Sequence, residues 1–128
     1  MKVFGVRYSD AELLGRALVK DGDNWRPVGT LMHAVNGIAF GAVYSLAAER
    51  LPGRGALKGA AAGMAEHLAT WPLTRYVPRR HPAARKLPQL YGNHAAFAQA
   101  VWRHLLFGVL LGALEERFAE GYAERAPA

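Results

Sequence analysis

The 128-residue chain contains no cysteine. This absence excludes disulfide scaffolds, thiolate metal sites, iron–sulfur clusters and cysteine nucleophiles. Serine is almost as scarce, because Ser9 and Ser45 are the only two, and neither stands in the context of a catalytic triad. The sequence also lacks the G-x-S-x-G, phosphate-loop and H-E-x-x-H motifs. The residues therefore do not favour an enzyme and offer no catalytic residue.

Charge is missing from one long stretch. Residues 28–48 carry no charged side chain, and about 21 helical residues reach about 31 Å, the thickness of the bilayer hydrocarbon. Two further apolar stretches, 55–76 and 93–114, are interrupted by Lys58, Glu66 and Arg103. The pattern predicts an all-α fold, with three transmembrane helices in an up-down-up bundle over 28–114.

The two ends of the chain differ from this apolar centre. Residues 1–27 are polar, and Ser9 with Glu12 has the form of a capping box ahead of a short amphipathic helix at about 10–20. That helix is expected either to lie in the membrane interface or to dock on the rest of the protein. Residues 115–128 are rich in glutamate and are predicted to be a solvated acidic tail.

A basic segment separates the second and third apolar stretches. Residues 75–86 contain five Lys or Arg residues and no acid, so the positive-inside rule places this segment and the N-terminus in the cytoplasm. The localisation expected is a multi-pass protein of the inner (plasma) membrane. Part of the segment is a candidate site for anionic lipid headgroups. Nucleic acid is not favoured, because no aromatic stacking platform accompanies the charge. The headgroup candidates are Arg79, Arg80, Arg85 and Lys86.

Glycine recurs every fourth residue in all three stretches. The first and third stretches each have a histidine followed by two such glycines, and the second has the reversed order. Small residues at this spacing let transmembrane helices approach closely. The residues predicted to pack the helices are Gly37, Gly41, Gly55, Gly59, Gly63, Gly108 and Gly112.

The histidines of these repeats are His33, His67 and His104. In an up-down-up bundle the reversed order places all three toward the same side of the membrane. They are expected to be interhelical hydrogen-bonding groups, ligands of a transition metal or haem, or a proton relay. The spacing does not decide among these roles, and the identity of any cofactor stays open.

Glu66 and Arg103 each precede one of these histidines and fall near the middle of a predicted crossing. An unpaired charge inside a bilayer is costly, so the two are predicted to form a buried ion pair. In a functional alternative, Glu66 accepts a proton or contacts a substrate.

Residues 28–114 resemble small bacterial inner-membrane proteins of the YagU-like group. Members of such families commonly have another membrane helix ahead of the first one, where this chain has the polar helix. The resemblance implies a multi-pass membrane protein and no catalytic residue. It rests on His33-x3-Gly37-x3-Gly41-x2-Tyr44, on Gly55, Gly59 and Gly63 ahead of Trp71-Pro72, and on His104-x3-Gly108-x3-Gly112.

The sequence thus favours a structural or accessory membrane subunit that contacts lipids and forms a homo-oligomer or joins a larger membrane complex. The alternatives are a histidine-ligated metal or haem protein and a small proton-coupled transporter. A soluble helical protein is disfavoured despite the mean hydropathy of −0.01, because so many glycines would weaken helices in water.

Overall fold

The computed structural model describes residues 4–124, and this range is helical without any strand. Five α-helices and two 3-10 helices follow one another along the chain. Their bounds are α1 Asp10–Leu18, α2 Trp25–Ala48, α3 Gly55–Thr70, a 3-10 helix at Trp71–Tyr76, α4 Val77–Arg80, a 3-10 helix at Ala84–Lys86, and α5 His94–Ala123. The predicted all-α class is confirmed.

Helix α1 is the predicted amphipathic helix, but its N-terminus is built differently from the expectation. Ser9 stands at the N-cap in extended conformation and makes no side-chain capping hydrogen bond. Glu12 is instead 2.7 Å from Arg16 on the next turn, an i,i+4 pair that neutralises both groups. The capping box predicted from Ser9 and Glu12 is therefore wrong, because the carboxylate has a cationic partner within reach.

The two long helices extend beyond their predicted ends. Helix α2 has 24 residues and begins three positions early, at Trp25. Helix α5 has 30 residues and continues through 115–123, which had been assigned to a solvated tail. Its added turns contain no proline, and Gly121 is their only poor helix former, so the helix continues through them.

Helix α3 is shorter than predicted. It has 16 residues, about 24 Å of helix, and it ends at Thr70, next to Trp71-Pro72. Pro72 occupies the first turn of the following 3-10 helix, where its missing N–H costs nothing. The helix therefore ends where Pro72 follows, six residues before the predicted end at 76.

Two helices are long and apolar enough to cross a bilayer, namely α2 and α5. Only 11% of the most apolar window of α2 and 22% of that of α5 are buried inside the protein. A core helix of a soluble protein would be mostly buried. The third predicted crossing, over 55–76, does not reach the length of these two as one continuous α-helix.

The described residues form two compact units, 4–40 with 70–99 and 41–69 with 100–124. In the first unit, α1 crosses α2, Tyr8 and Leu90 are buried, and the ring of Trp71 meets that of Phe97 edge-on at 5.3 Å. In the second unit, α3 runs antiparallel to α5, and the last turns of α2 complete the unit.

Small and polar residues fill the interior of both units. The largest side chains that are less than 2% exposed are Leu90, His67 and Gln99, and most other buried apolar residues are alanines. Large apolar side chains instead lie outside. Those of α2 include Leu31, Val35, Ile38, Val43 and Leu46, and those of α5 include Trp102, Leu106, Leu110, Leu114 and Phe118. This distribution is the reverse of that in a water-soluble domain.

Candidate functional site

The second unit is built on a glycine crossing between α3 and α5. A Cβ atom placed on Gly59 would overlap the carbonyl oxygen of Gly108, and one placed on Gly55 would overlap that of Gly112. One turn further along, a Cβ on Gly63 would lie 2.5 Å from the carbonyl oxygen of His104. The two backbones therefore touch over three successive turns, and only glycine permits this separation.

The two remaining glycines of the predicted set do not share this role. A Cβ on Gly41 would meet only the side chain of Leu111, at an ordinary 3.6 Å, and a Cβ on Gly37 would meet no atom within 4 Å. Spacing alone did not separate these two from the other five, because it does not specify which helix face has a partner.

The ends of α3 and α2 are closed by side chains from the same unit. The backbone N–H of Gly55, at the start of α3, donates to the Glu116 carboxylate at 3.0 Å, where the helix N-terminus favours a negative charge. Lys58 Nζ donates to the carbonyl of Ala48, the last residue of α2, at 3.0 Å. The role of Glu116 was missed because the glutamates after Leu114 were interpreted as solvated.

Beyond the glycine contacts, the same two helices bring Glu66, His67 and His104 together. Glu66 Oε2 lies 2.8 Å from Nε2 of His104. The His67 ring is fully buried, with its centroid 4.7 Å from that of His104. We call these three residues the Glu–His cluster. The antiparallel register that pairs Gly63 with residue 104 also places residue 67 beside this histidine.

The His104 ring has an oxygen atom next to each of its two nitrogens. His104 Nδ1 is 2.8 Å from the carbonyl oxygen of Ala100, one turn earlier on α5, and Nε2 faces Glu66 Oε2 of α3. The imidazole is thus oriented by α5 itself and bridges to the neighbouring helix.

Arg103 and His33 complete the set of predicted site residues. Arg103 is half-buried on α5, next to His104 in sequence, and its ion pair with Glu66 stays a prediction. His33 is an exposed residue of α2 in the first unit. Throughout residues 4–124, no three His, Cys, Asp or Glu side chains are placed to hold one metal ion. This finding gives the three-histidine metal site no support.

The basic segment belongs to the first unit, and its cations are not equivalent. Lys86 Nζ is 2.5 Å from the Asp21 carboxylate and also donates to the carbonyl of Lys20 at 3.0 Å. Arg79, Arg80 and Arg85 are exposed and make no ion pair with any residue between 4 and 124. Among the four predicted headgroup residues, Lys86 is thus already engaged by an acid.

Contacts that the sequence did not reveal attach α1 to the rest of the first unit. A Cβ on Gly15 would overlap the carbonyl oxygen of Trp25, and one on Gly29 would overlap that of Ala11. His81 Nε2 donates to the carbonyl of Leu13 at 2.9 Å. The prediction left two places open for this helix, and the structure docks it on α2.

Comparison with known proteins identifies no relative. No protein-family model matches the chain, and neither a curated protein nor a solved structure is similar to it. The resemblance to the YagU-like group therefore stays a prediction.

Proposed function

We propose that this chain is an integral membrane protein in which α2 and α5 cross the bilayer. The observation that supports this proposal is the reversed distribution of side chains. Most interior positions are occupied by glycine or alanine, whereas Leu31, Ile38 and Leu46 of α2 are 66–76% exposed. In water these apolar faces would be a large unfavourable patch, and in lipid they are solvated.

In the finer version of this proposal, α3 lies in the membrane with the two long helices and completes an up-down-up bundle. Its glycine contacts with α5 support this placement, because close backbone approach is how helices associate where lipid removes the hydrophobic driving force. The excess of Lys and Arg in 75–86 supports a cytoplasmic position for this segment and for the N-terminus.

Within the membrane, the role we propose is that of a structural or accessory subunit, as a homo-oligomer or in a larger complex. Five of the seven glycines serve contacts within the second unit, and the surroundings of Gly37 are open. The outward face of α2 is thus available to another helix as well as to lipid.

Alkaline extraction of membranes that contain the full chain tests the membrane assignment. We expect the protein to stay in the membrane pellet at high pH and to be released only by detergent. The matched variants are Ile38→Lys, on the exposed face of α2, and Lys20→Ile, in the polar segment, which exchange the same two residue types in opposite directions. Ile38→Lys should reduce insertion more, because a lysine near the bilayer centre costs about 2.5–3.5 kcal/mol. Release of the unaltered protein by carbonate would contradict the proposal.

A second candidate function is proton-coupled transport through the Glu–His cluster. The specific observation in its favour is that Glu66 Oε2 lies 2.8 Å from Nε2 of His104, beside the buried ring of His67. Acidic and histidine side chains in contact within a bilayer are typical components of proton pathways.

Vesicles that enclose a pH-sensitive dye distinguish transport from a structural role. If the cluster moves protons, Glu66→Gln should abolish a protein-dependent proton flux. Glu120→Gln, which removes a charge from an exposed position of α5, should leave the flux intact. If the role is structural, the unaltered protein shows no flux above empty vesicles, and Glu66→Gln lowers only its thermal stability.

A further inference from the structure

The chain segment that follows α3 forms an open depression on the first unit. The depression has a volume of about 540 Å³ and is lined by Arg75, Tyr76, Pro78 and Arg79. These residues span the junction between the 3-10 helix at Trp71–Tyr76 and α4. A proline near the start of each short helix limits the backbone conformations of the junction.

Arg75 is oriented by its neighbour. Its guanidinium carbon lies 4.6 Å from the centroid of the Tyr76 ring, and one guanidinium nitrogen donates to the Tyr76 hydroxyl at 2.6 Å. Stacking and hydrogen bonding together restrict a side chain that would otherwise sample many rotamers. The remaining guanidinium N–H groups are left to bind a ligand.

The charge around the depression is uncompensated. Arg79 is exposed and forms no ion pair with the residues described, and the sequence contains no acid between Glu66 and Glu115. Lys86 contrasts with it, because that lysine is bound by Asp21. The two arginines of the depression therefore present positive charge without an anionic partner from this part of the chain.

Apolar surface borders the depression itself. The ring of Tyr76, which is 45% exposed, and Pro78 line it, and Leu73, two residues before Arg75 in the chain, is 61% exposed. A free phosphate ion would make no use of such a border. An anionic lipid would use it, because its phosphate and its acyl chains bind basic and apolar groups at the same time.

We propose that Arg75 and Arg79 form a binding site for the phosphate of an anionic phospholipid, with Tyr76 holding Arg75 in place. Guanidinium groups suit this ligand, because their paired N–H donors match two oxygens of one phosphate. The inference rests on the proposed membrane location. It differs from general attraction of the basic segment to the membrane in assigning selectivity to these residues rather than to Arg85 or Lys86.

The test uses the full chain in phosphatidylcholine vesicles that contain a trace of either spin-labelled phosphatidylglycerol or spin-labelled phosphatidylcholine. The relative affinity for the two labelled lipids is obtained from the motionally restricted fraction of the spectrum. We expect the unaltered protein to prefer phosphatidylglycerol. Arg75→Gln and Arg79→Gln should each lower this preference about fivefold, the effect of about 1 kcal/mol per basic residue near a membrane.

Arg85→Gln is the matched control, because it removes the same charge from an exposed position of the same segment outside the depression. It should leave the preference nearly unchanged. Tyr76→Leu keeps the charge and the apolar border but removes the group that orients Arg75, so it should lower the preference as well. The four variants alter exposed side chains, and an unchanged helical circular dichroism spectrum establishes that each is folded.

Three results would overturn the proposal. An equal loss in Arg85→Gln and Arg75→Gln would show general electrostatic attraction. Displacement of phosphatidylglycerol by excess inorganic phosphate would show a site for the free ion. A protein that inserts into pure phosphatidylcholine but has no lipid preference would lack the site while keeping the membrane assignment. Failure to insert into phosphatidylcholine at all is distinguishable, because it contradicts the proposed function itself.

Discussion

Each unit attaches a shorter helix to a longer one, and the two units do so through different contacts. In the second unit, α3 meets α5 through backbone contacts repeated at Gly55, Gly59 and Gly63. In the first unit, α1 meets α2 at one place, Gly15 against Gly29. The first contact extends over most of a 16-residue helix, whereas the second belongs to a helix of nine residues.

In the first unit, polar side chains add further attachment points for α1 and the residues next to it. His81 donates to the carbonyl of Leu13, Gln99 to that of Tyr8 at 3.2 Å, and Lys86 to that of Lys20. Each such bond adds about 0.5–1.5 kcal/mol, and a nine-residue helix is not stable by itself in water. Polar contacts also join α3 to α5, at Glu116 and at Glu66, so the units differ in the extent of backbone contact rather than in whether polar groups are used. The comparison teaches that a short helix with few close backbone contacts depends more on its polar attachment points.

The largest expected effect comes from a side chain placed inside the glycine crossing of the second unit. Gly59→Ala should destabilise the protein by about 3 kcal/mol, because the added Cβ meets the Gly108 backbone, which cannot rotate away. Gly37→Ala is the matched control and should be neutral or stabilise by up to about 1 kcal/mol, since its surroundings are open and alanine favours helix. Thermal unfolding in detergent measures both. Equal stability of the two variants would show that the glycine crossing does not stabilise the fold.

The equivalent change in the first unit should have a smaller and more local effect. Gly15→Ala introduces a Cβ that overlaps the Trp25 carbonyl oxygen and should cost about 1–3 kcal/mol, chiefly by detaching α1. Amide hydrogen exchange should increase across 10–18 and stay unchanged across 55–69. Gly121→Ala, where the structure is open, serves as the control. An equal increase in both ranges would mean that the two units unfold together.

Removal of one polar attachment should weaken α1 less than the glycine change does. His81→Phe deletes the bond to Leu13 and also the acceptor at Nδ1 that receives the Ala83 N–H at 3.1 Å. We expect a loss of about 1–2 kcal/mol in the protection of 10–18 against exchange. His81→Gln can restore the donor to Leu13 and should recover part of the loss. No recovery would indicate that packing of the ring, rather than its hydrogen bonds, holds α1.

The smallest effect concerns the exposed pair of Asp21 and Lys86. A hydrogen bond from Lys86, together with its charge, lowers the pKa of Asp21 below the ordinary value of 3.8. Because the pKa of Asp21 is lower in the folded protein than in the unfolded chain, the pair with Lys86 stabilises the fold above about pH 3.8. This stabilisation is lost as the pH falls through the folded pKa. Its size is small, since water screens the exposed pair. Carboxyl NMR should show Asp21 titrating at a higher pH in Lys86→Gln, and an unchanged titration would contradict the pairing.

Much of the helical framework could be predicted from composition and spacing. The uncharged run at 28–48 predicted α2, whereas the end of α3 was predicted six residues too late, at 76. The last turns of α5 were missed because Glu115 and Glu116 resemble a solvated tail when no partner is known. The N-terminal nitrogen of α3 supplies that partner, and Glu116 binds it across 61 positions of sequence. A contact between residues so far apart in the chain leaves no local signal.

The candidate site was predicted only in part, again because contacts between distant residues leave no local signal in the sequence. Glycine spacing together with the reversed order in α3 predicted that His33, His67 and His104 would lie on the same side of a bundle, and among these the rings of His67 and His104 are in contact. It did not indicate that Glu66 would contact His104. That partnership depends on the rotation of each helix about its own axis, which the shape of the neighbouring helix determines.

The sequence by itself determined the helices, their approximate lengths and the residues small enough for close contact. These properties follow from local propensity and from the spacing of side chains along 3.6 residues per turn. The tertiary structure alone decided which small residues are used, because Gly15 and Gly29 have partners whereas Gly37 does not. It likewise decided that Lys86 binds an acid, while Arg79 has no such partner among residues 4–124. These contacts depend on the three-dimensional arrangement of distant segments. Neither the composition of the chain nor the spacing of residue types along it encodes that arrangement.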